Sequence, residues 1–211
     1  MGQTCPPAVV AELKRARRIW IGTHEDPDGD AFGALLGLGR LLRARGQEVV
    51  LACQDPAPRE ADHLPDLASV TTRGPTPDAF DLAIAVDAGD VARLGRLHDP
   101  TRWDAMPTVV IDHHRSNPGF GRWNWINPDA AATCQMLTEL ALAEGWTIDA
   151  RTADCLLCGI LTDTIGFRTS QTRPDTLVAA GQLMSFGADL PGLSQKVFSR
   201  LPLGGLHPVS Y

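Results

Sequence analysis

The stretch Thr23-His24-Glu25-Asp26-Pro27-Asp28-Gly29-Asp30 crowds an imidazole and several carboxylates into one short segment. Carboxylates this close repel one another unless a cation sits among them. Hard oxygen donors with one imidazole suit manganese or magnesium better than a thiolate-seeking metal. The same residue types recur at Asp87, at Asp112-His113-His114 and at Asp163. Each fragment has a plainer explanation. The first is also a solvated acidic turn with Asp30 as helix N-cap, Asp87 also fits a helix cap, and His113 also fits a satisfied core histidine. Agreement among the fragments favours a metal site.

Those groups must be positioned by the elements between them. Ile19-Trp20-Ile21 reads as a short buried strand and residues 31–45 as a helix. The acidic segment is then a strand-to-helix loop, where parallel α/β sheets bind ligands. Pro27 is expected to push Asp26 towards extended backbone, and Gly29 to supply a backbone angle other residues resist. Residues 81–87 (DLAIAVD) and 107–112 (PTVVID) read as near-continuous apolar strands, the pattern of a parallel sheet covered on both faces. Further strands are expected at 47–53 and 122–127, with one near Val70 inside the proline-rich stretch 54–79, which also suggests a short helix. Helices are expected at 8–18, 130–145, 149–161 and 174–187. Strands alternating with helices give an α/β fold with a mainly parallel sheet. Parallel strands end on one edge, so His24, Asp87 and Asp112 converge there. Asp163 follows a helix and must fold back to join them. Gly33 and Gly37 share a helix face and are expected to allow close helix–sheet packing.

Composition narrows the class. With 211 residues, 44% of them hydrophobic, the chain can bury a sizeable core. No apolar run reaches the roughly 18–20 residues that span a bilayer, and Met1 to Val10 lacks a signal-peptide pattern, so a cytoplasmic protein is expected. The five cysteines form no dense framework, which indicates reduced thiols. Cys155 and Cys158 have CxxC spacing without a second pair and read as core residues. No GxGxxG or Walker A pattern is present. The net charge of −6 argues against a long nucleic-acid surface. Two divalent cations on Asp28, Asp30, Asp87 and Asp163 would bring it to −2 and admit a small anion. Trp103, Trp123, Trp125 and Trp146 read as packing residues, and His63 as a surface residue. Arg115, Ser116 and Asn117 fit phosphate or base contacts and loop hydrogen bonds equally well.

His24-x-x-x-Asp28-x-Asp30, the strand-end Asp87, Asp112-His113-His114 and the late Asp163 together resemble the motifs of the DHH phosphoesterase family, in order and across most of the chain. Residues 112–121 and 162–168 most resemble the branch that degrades nanoRNA and dephosphorylates pAp (3′-phosphoadenosine 5′-phosphate). The resemblance implies a three-layer α/β/α DHH domain over residues 1–190 and two manganese ions per chain, with magnesium as a substitute. His24 and Asp28 would hold the first ion, Asp30, His113 and Asp163 the second, and Asp87 both. His114 would face the scissile phosphate, oriented by Asp112, with Arg168 a further stabilising cation. Short RNA or DNA oligonucleotides or pAp would be the substrates, cleaved by metal-activated water. A homodimer is compatible with this picture.

Two departures from the family stand out. Relatives usually read Asp-Thr-Gly-x-Phe-Arg where this chain has Asp163-Thr164-Ile165-Gly166-Phe167-Arg168, so the glycine has moved by one. Family members of this type also carry a further DHHA1-type domain of roughly a hundred residues or more, with a Gly-Gly-Gly-His signature. Its absence is expected here, with 191–211 as a helix or linker remnant and Gly204-Gly205-Leu206-His207 a coincidence. Three functions compete: the oligonucleotide or pAp phosphoesterase, a pyrophosphatase or single-strand 5′ exonuclease using the same metals, and a metal-bound nucleotide-binding module of little activity.

Overall fold

The computed structural model describes residues 4–198; Gly204–His207 and most of the 191–211 segment lie outside them. Six strands form one sheet: β1 (Arg18–Gly22), β2 (Glu48–Ala52), β3 (Val70–Thr71), β4 (Leu82–Val86), β5 (Thr108–Asp112) and β6 (Trp123–Ile126). Their order is β3-β2-β1-β4-β5-β6, and every neighbouring pair is parallel. The helices are α1 (Pro7–Arg15), α2 (Gly29–Ala44), α3 (Pro100–Asp104), α4 (Thr133–Ala143), α5 (Ala150–Asp163), α6 (Pro174–Ser185) and α7 (Leu190–Phe198); α2 and α3 lie in the crossovers that parallel strands require, between β1 and β2 and between β4 and β5. Strand order reverses between β1 and β4, the crevice where open α/β sheets take ligands.

Alternate strand residues feed two cores, as the two-residue period demands. Ile19, Ile21, Leu82, Ile84, Val86, Val109 and Ile111 join the larger core with α1, α2 and α4–α7, including Leu193 and Val197 of α7. Trp20, Ala83, Ala85 and Val110 face a smaller core. There the cover is thin, a 3-10 segment (Val91–Leu97) and the five-residue α3. These short elements have no usable sequence period. Bulky indoles fill the space instead, with Trp20 and Trp103 packed edge to face at 6.4 Å. Trp125 and Trp146 are buried and Trp123 packs half-buried against the larger core. The cysteines are free, and burial pushes the Cys158 thiol up to about 12. No described helix is long and apolar enough to cross a membrane. His63 is half-buried rather than on the surface.

Three local expectations are corrected. Asp28, not Asp30, caps α2, its Oδ1 accepting from the amides of Asp30 and Ala31 at 3.0 Å each. Asp26 is left-handed (φ 47°) rather than extended, because its amide donates to Asp55 Oδ2 at 3.0 Å. Gly29, Gly33 and Gly37 serve helix–helix packing rather than turn geometry or the sheet. A Cβ on Gly29 would fall 2.4 Å from Thr162 Cγ2, one on Gly33 2.6 Å from the Cys155 carbonyl, and one on Gly37 2.6 Å from Leu156 Cδ2. All three neighbours belong to α5, so a glycine seam every fourth residue lets α2 and α5 touch backbone to backbone.

Candidate metal centre

The carboxyl ends of β1, β4 and β5 deliver His24, Asp87, Asp112 and His113 to one edge. Thr23 Oγ1 donates to the Val86 carbonyl at 2.9 Å and ties the β1 and β4 ends together across the point of strand-order reversal. Asp87 takes a left-handed backbone (φ 56°), a conformation aspartate tolerates better than most residues and one that clusters at functional sites. One of its oxygens lies 3.7 Å from His24 Nε2, the other 3.6 Å from His113 Nε2. Thr133 Oγ1 donates to Asp87 Oδ1 at 2.9 Å.

Two helices complete the ring. Helix α4 has no side-chain cap of its own. Asp30 fills that role from α2, its oxygens accepting from the amides of Thr133 (2.6 Å) and Cys134 (3.0 Å). The helix terminus holds its charge in place, and lone pairs remain for another partner. Asp163 is the last residue of α5, and the glycine seam explains how it reaches the edge. Gly159, one turn earlier, packs so closely that a Cβ there would lie 2.5 Å from Asp30 Oδ1. Asp163 Oδ2 then sits 3.1 Å from His113 Nε2.

Both imidazoles are held from behind. His113 Nδ1 lies 3.4 Å from the Ala130 carbonyl and His24 Nδ1 2.6 Å from the Glu25 carbonyl. Backbone carbonyls at that position are the usual way to aim the other nitrogen at a metal. His24 Nε2 is buried with no hydrogen-bond partner. Donor atoms of His24, Asp28 and Asp87 lie within 4.8 Å of one another, as do those of Asp30, His113 and Asp163. Spacings of 3.6–4.0 Å among them are too long for hydrogen bonds. They suit oxygen and nitrogen donors gathered around a hard divalent cation. The residues present therefore fit such an ion.

A further trio, Asp87, His113 and His114, meets the same distance test, but its chemistry differs. His114 Nδ1 donates to Asp112 Oδ1 at 2.7 Å, closer than its 3.8 Å approach to Asp87. Asp112 is fully buried, and its other oxygen accepts from Asn117 Nδ2 at 2.6 Å. Asp112 is thus committed to orienting His114. Asn117 is a loop fastener, donating also to the Ala88 carbonyl at 3.1 Å. Arg115 and Ser116 are exposed. Arg168 is not brought into any of these groups: its Nε donates to the Ile165 carbonyl at 2.6 Å and its guanidinium lies over the Phe198 ring. Two residues at the centre escape a reading of the sequence. Thr133 looks like an ordinary helix residue. Arg93 carries only the weak signal of a cation in the loop after a strand-end carboxylate, yet its Nη2 lies 2.8 Å from His24 Nδ1.

The pattern DHH family, N-terminal domain, matches residues 18–160. The chain belongs to the DHH family. A bifunctional oligoribonuclease and PAP phosphatase, NrnA, of Thermus thermophilus is 35% identical over 92% of this chain and 58% of its own length. The Bacillus subtilis protein of the same name is 28% identical over 87% of this chain and 56% of its own. The chain thus spans a little over half the length of these curated relatives. The crystal structure of an exopolyphosphatase-related protein from Bacteroides fragilis superposes with a TM-score of 0.83 at 23% identity, over 92% of this chain and 60% of that one, and shares the fold.

Electrostatics of this DHH edge reflect a surplus of negative charge. Burial, with the charges of Asp87 and Asp163 beside it, pushes the Asp30 carboxyl well above the usual carboxylate range. Burial also raises Asp163, despite His113. Burial resists a charged His113, but Asp163, Asp30 and Asp87 hold its imidazole up at about 10. The hydrogen bond to Asp112 raises His114, while burial opposes it. Without another cation the site must borrow protons to balance its carboxylates.

Proposed function

We propose that the chain is the catalytic DHH unit of a divalent-cation phosphoesterase that hydrolyses short oligonucleotides to mononucleotides, pAp to AMP, or both. The observation that carries this reading is the shared carboxylate. Asp87 faces His24 through one oxygen and His113 through the other, so it stands between two donor groups that need no other common member. His24 and Asp28 would hold one cation, Asp30, His113 and Asp163 the other, with Asp87 serving both. Manganese is the proposed ion, as oxygen and imidazole donors without thiolate suit it. When bound, such a pair activates water and neutralises phosphoryl charge.

The chain's own residues supply positioning. Asp112 fixes His114 through Nδ1, and the protonated ring would then donate from Nε2 to a phosphoryl oxygen. The hydrogen bond to Asp112 raises the imidazole pKa against the opposing effect of burial, which favours the cation that would stabilise the charge growing in phosphoryl transfer. Thr133 keeps Asp87 aimed, and the amides at the α4 terminus keep Asp30 aimed. The identity with the NrnA proteins supports oligonucleotides and pAp as substrates.

The test is a rate panel with manganese: pAp, a ribodinucleotide and inorganic pyrophosphate, with and without chelator. Manganese-dependent AMP release from pAp or mononucleotides from the dinucleotide is expected. Faster turnover of pyrophosphate would replace the reading with a pyrophosphatase, and tight AMP binding without hydrolysis would replace it with a binding module.

A further inference from the structure

Arg93 sits at the edge of the carboxylate-rich centre, yet no Asp or Glu oxygen among the described residues pairs with it; its one side-chain hydrogen bond is to His24 Nδ1, at 2.8 Å. Its backbone is fixed to the same loops. The Arg93 carbonyl accepts from the Glu25 amide at 2.7 Å, and its own amide donates to the Asp90 carbonyl at 3.1 Å. The side chain is half-buried. An arginine is therefore pinned by its main chain beside His24 while its guanidinium remains free to change partner.

The contact with His24 is incompatible with His24 holding a cation. The ring nitrogen Nδ1 lies 2.6 Å from the Glu25 carbonyl and 2.8 Å from Arg93 Nη2. A carbonyl only accepts and a guanidinium only donates, so Nδ1 serves one or the other. If it accepts from Arg93, the ring proton is on Nε2, which then cannot ligate. If it donates to Glu25, Nε2 presents a lone pair to the centre and Arg93 loses its acceptor. Occupying Nε2 thus turns Arg93 loose next to the site. Charge gives it a new partner. The carboxylates of Asp28, Asp30, Asp87 and Asp163 match two divalent cations, so an arriving phosphate meets no surplus of positive charge from the ligands themselves. A guanidinium suits that anion, since its fork of donors matches phosphate oxygens.

We propose that Arg93 is a phosphate-binding residue of this centre, held by His24 Nδ1 until a cation takes Nε2 and then donating to the phosphate of the substrate. The proposal deepens the phosphoesterase reading and rests on it.

The experiment compares the wild type with Arg93→Gln, Arg93→Met and Arg93→Lys in the full chain. Manganese binding and then AMP binding to the manganese-loaded protein are measured by calorimetry, with KM and kcat on pAp alongside. Arg93→Gln and Arg93→Met are expected to bind manganese as tightly as the wild type or more so, because the competing donor on Nδ1 is gone in Met and is uncharged and on a shorter side chain in Gln. Their affinity for AMP should fall about 10- to 100-fold, the loss of a charge-assisted hydrogen bond, with KM rising and Arg93→Lys recovering part of it. Unchanged AMP affinity in a folded Gln or Met variant with normal manganese binding overturns the proposal and leaves the phosphoesterase reading standing. Loss of manganese affinity in both variants also overturns it and makes Arg93 a positioning residue for His24. A wild type that binds no manganese overturns the underlying reading and this proposal with it.

Discussion

Asp87 faces His24 through one carboxylate oxygen and His113 through the other, from a left-handed backbone that Thr133 Oγ1 steadies. Replacing it with asparagine keeps the shape and the bond from Thr133 but removes the charge that both donor groups share. Asp87→Asn is expected to lower kcat on pAp by at least about 10²–10³-fold, the scale of losing a preorganised electrostatic contact, and to weaken manganese binding at both positions. Kinetics and calorimetry on the same preparation read both effects; turnover retained at wild-type levels contradicts the shared role. The other residues divide by what already occupies them. Asp112 is used up by His114 and Asn117. Arg168 is drawn to Ile165 and Phe198. The Asp112–His114 contact is the one the family resemblance implies, whereas the place of Arg168 follows from a side-chain direction, which residue types and spacing do not encode.

At the scale of elements, the turn after α5 carries the clearest departure from the family pattern. Ile165, Gly166 and Phe167 all have positive φ, at 50°, 67° and 66°. A β-branched residue at the first of these positions is strained, and Ile165 is 51% exposed, so its side chain returns little by burial. Ile165→Gly removes about 1–2 kcal/mol of left-handed strain against about 0.5–1 kcal/mol of added backbone freedom in the unfolded chain. A net gain of up to about 1.5 kcal/mol is expected, read as a rise in Tm at about 2–4 °C per kcal/mol; a fall in Tm contradicts it. The strands at β1, β4 and β5 were legible because buried parallel strands are nearly continuous apolar runs ending in polar residues. Helices α2, α4, α5 and α6 were legible from their period, with Gly46, Gly145 and Gly187 as the stops of α2, α4 and α6. The 3-10 segment and α3 were not, being too short to show one. The return of Asp163 was also hidden. It depends on Gly29, Gly33 and Gly159 allowing two helices to touch, and a glycine's spacing does not say which neighbour it admits.

Across the whole molecule, strand order decides where chemistry can sit. The reversal between β1 and β4 opens the edge at which three strand ends and the termini of α2, α4 and α5 meet. The candidate site was legible to the extent that its donors lie at strand ends, since parallel strands must deliver them to one side. Arg93 and Thr133 were not legible, because each enters by a packing relation between elements far apart in sequence. The chain spans 58% and 56% of the two NrnA proteins it matches. The central claim, a pair of cations sharing Asp87, is most directly tested by manganese anomalous scattering from crystals soaked in manganese. Two peaks are expected, one among His24, Asp28 and Asp87, the other among Asp30, His113, Asp163 and Asp87. A well-ordered centre with no peak, or with metal bound away from Asp87, would contradict it.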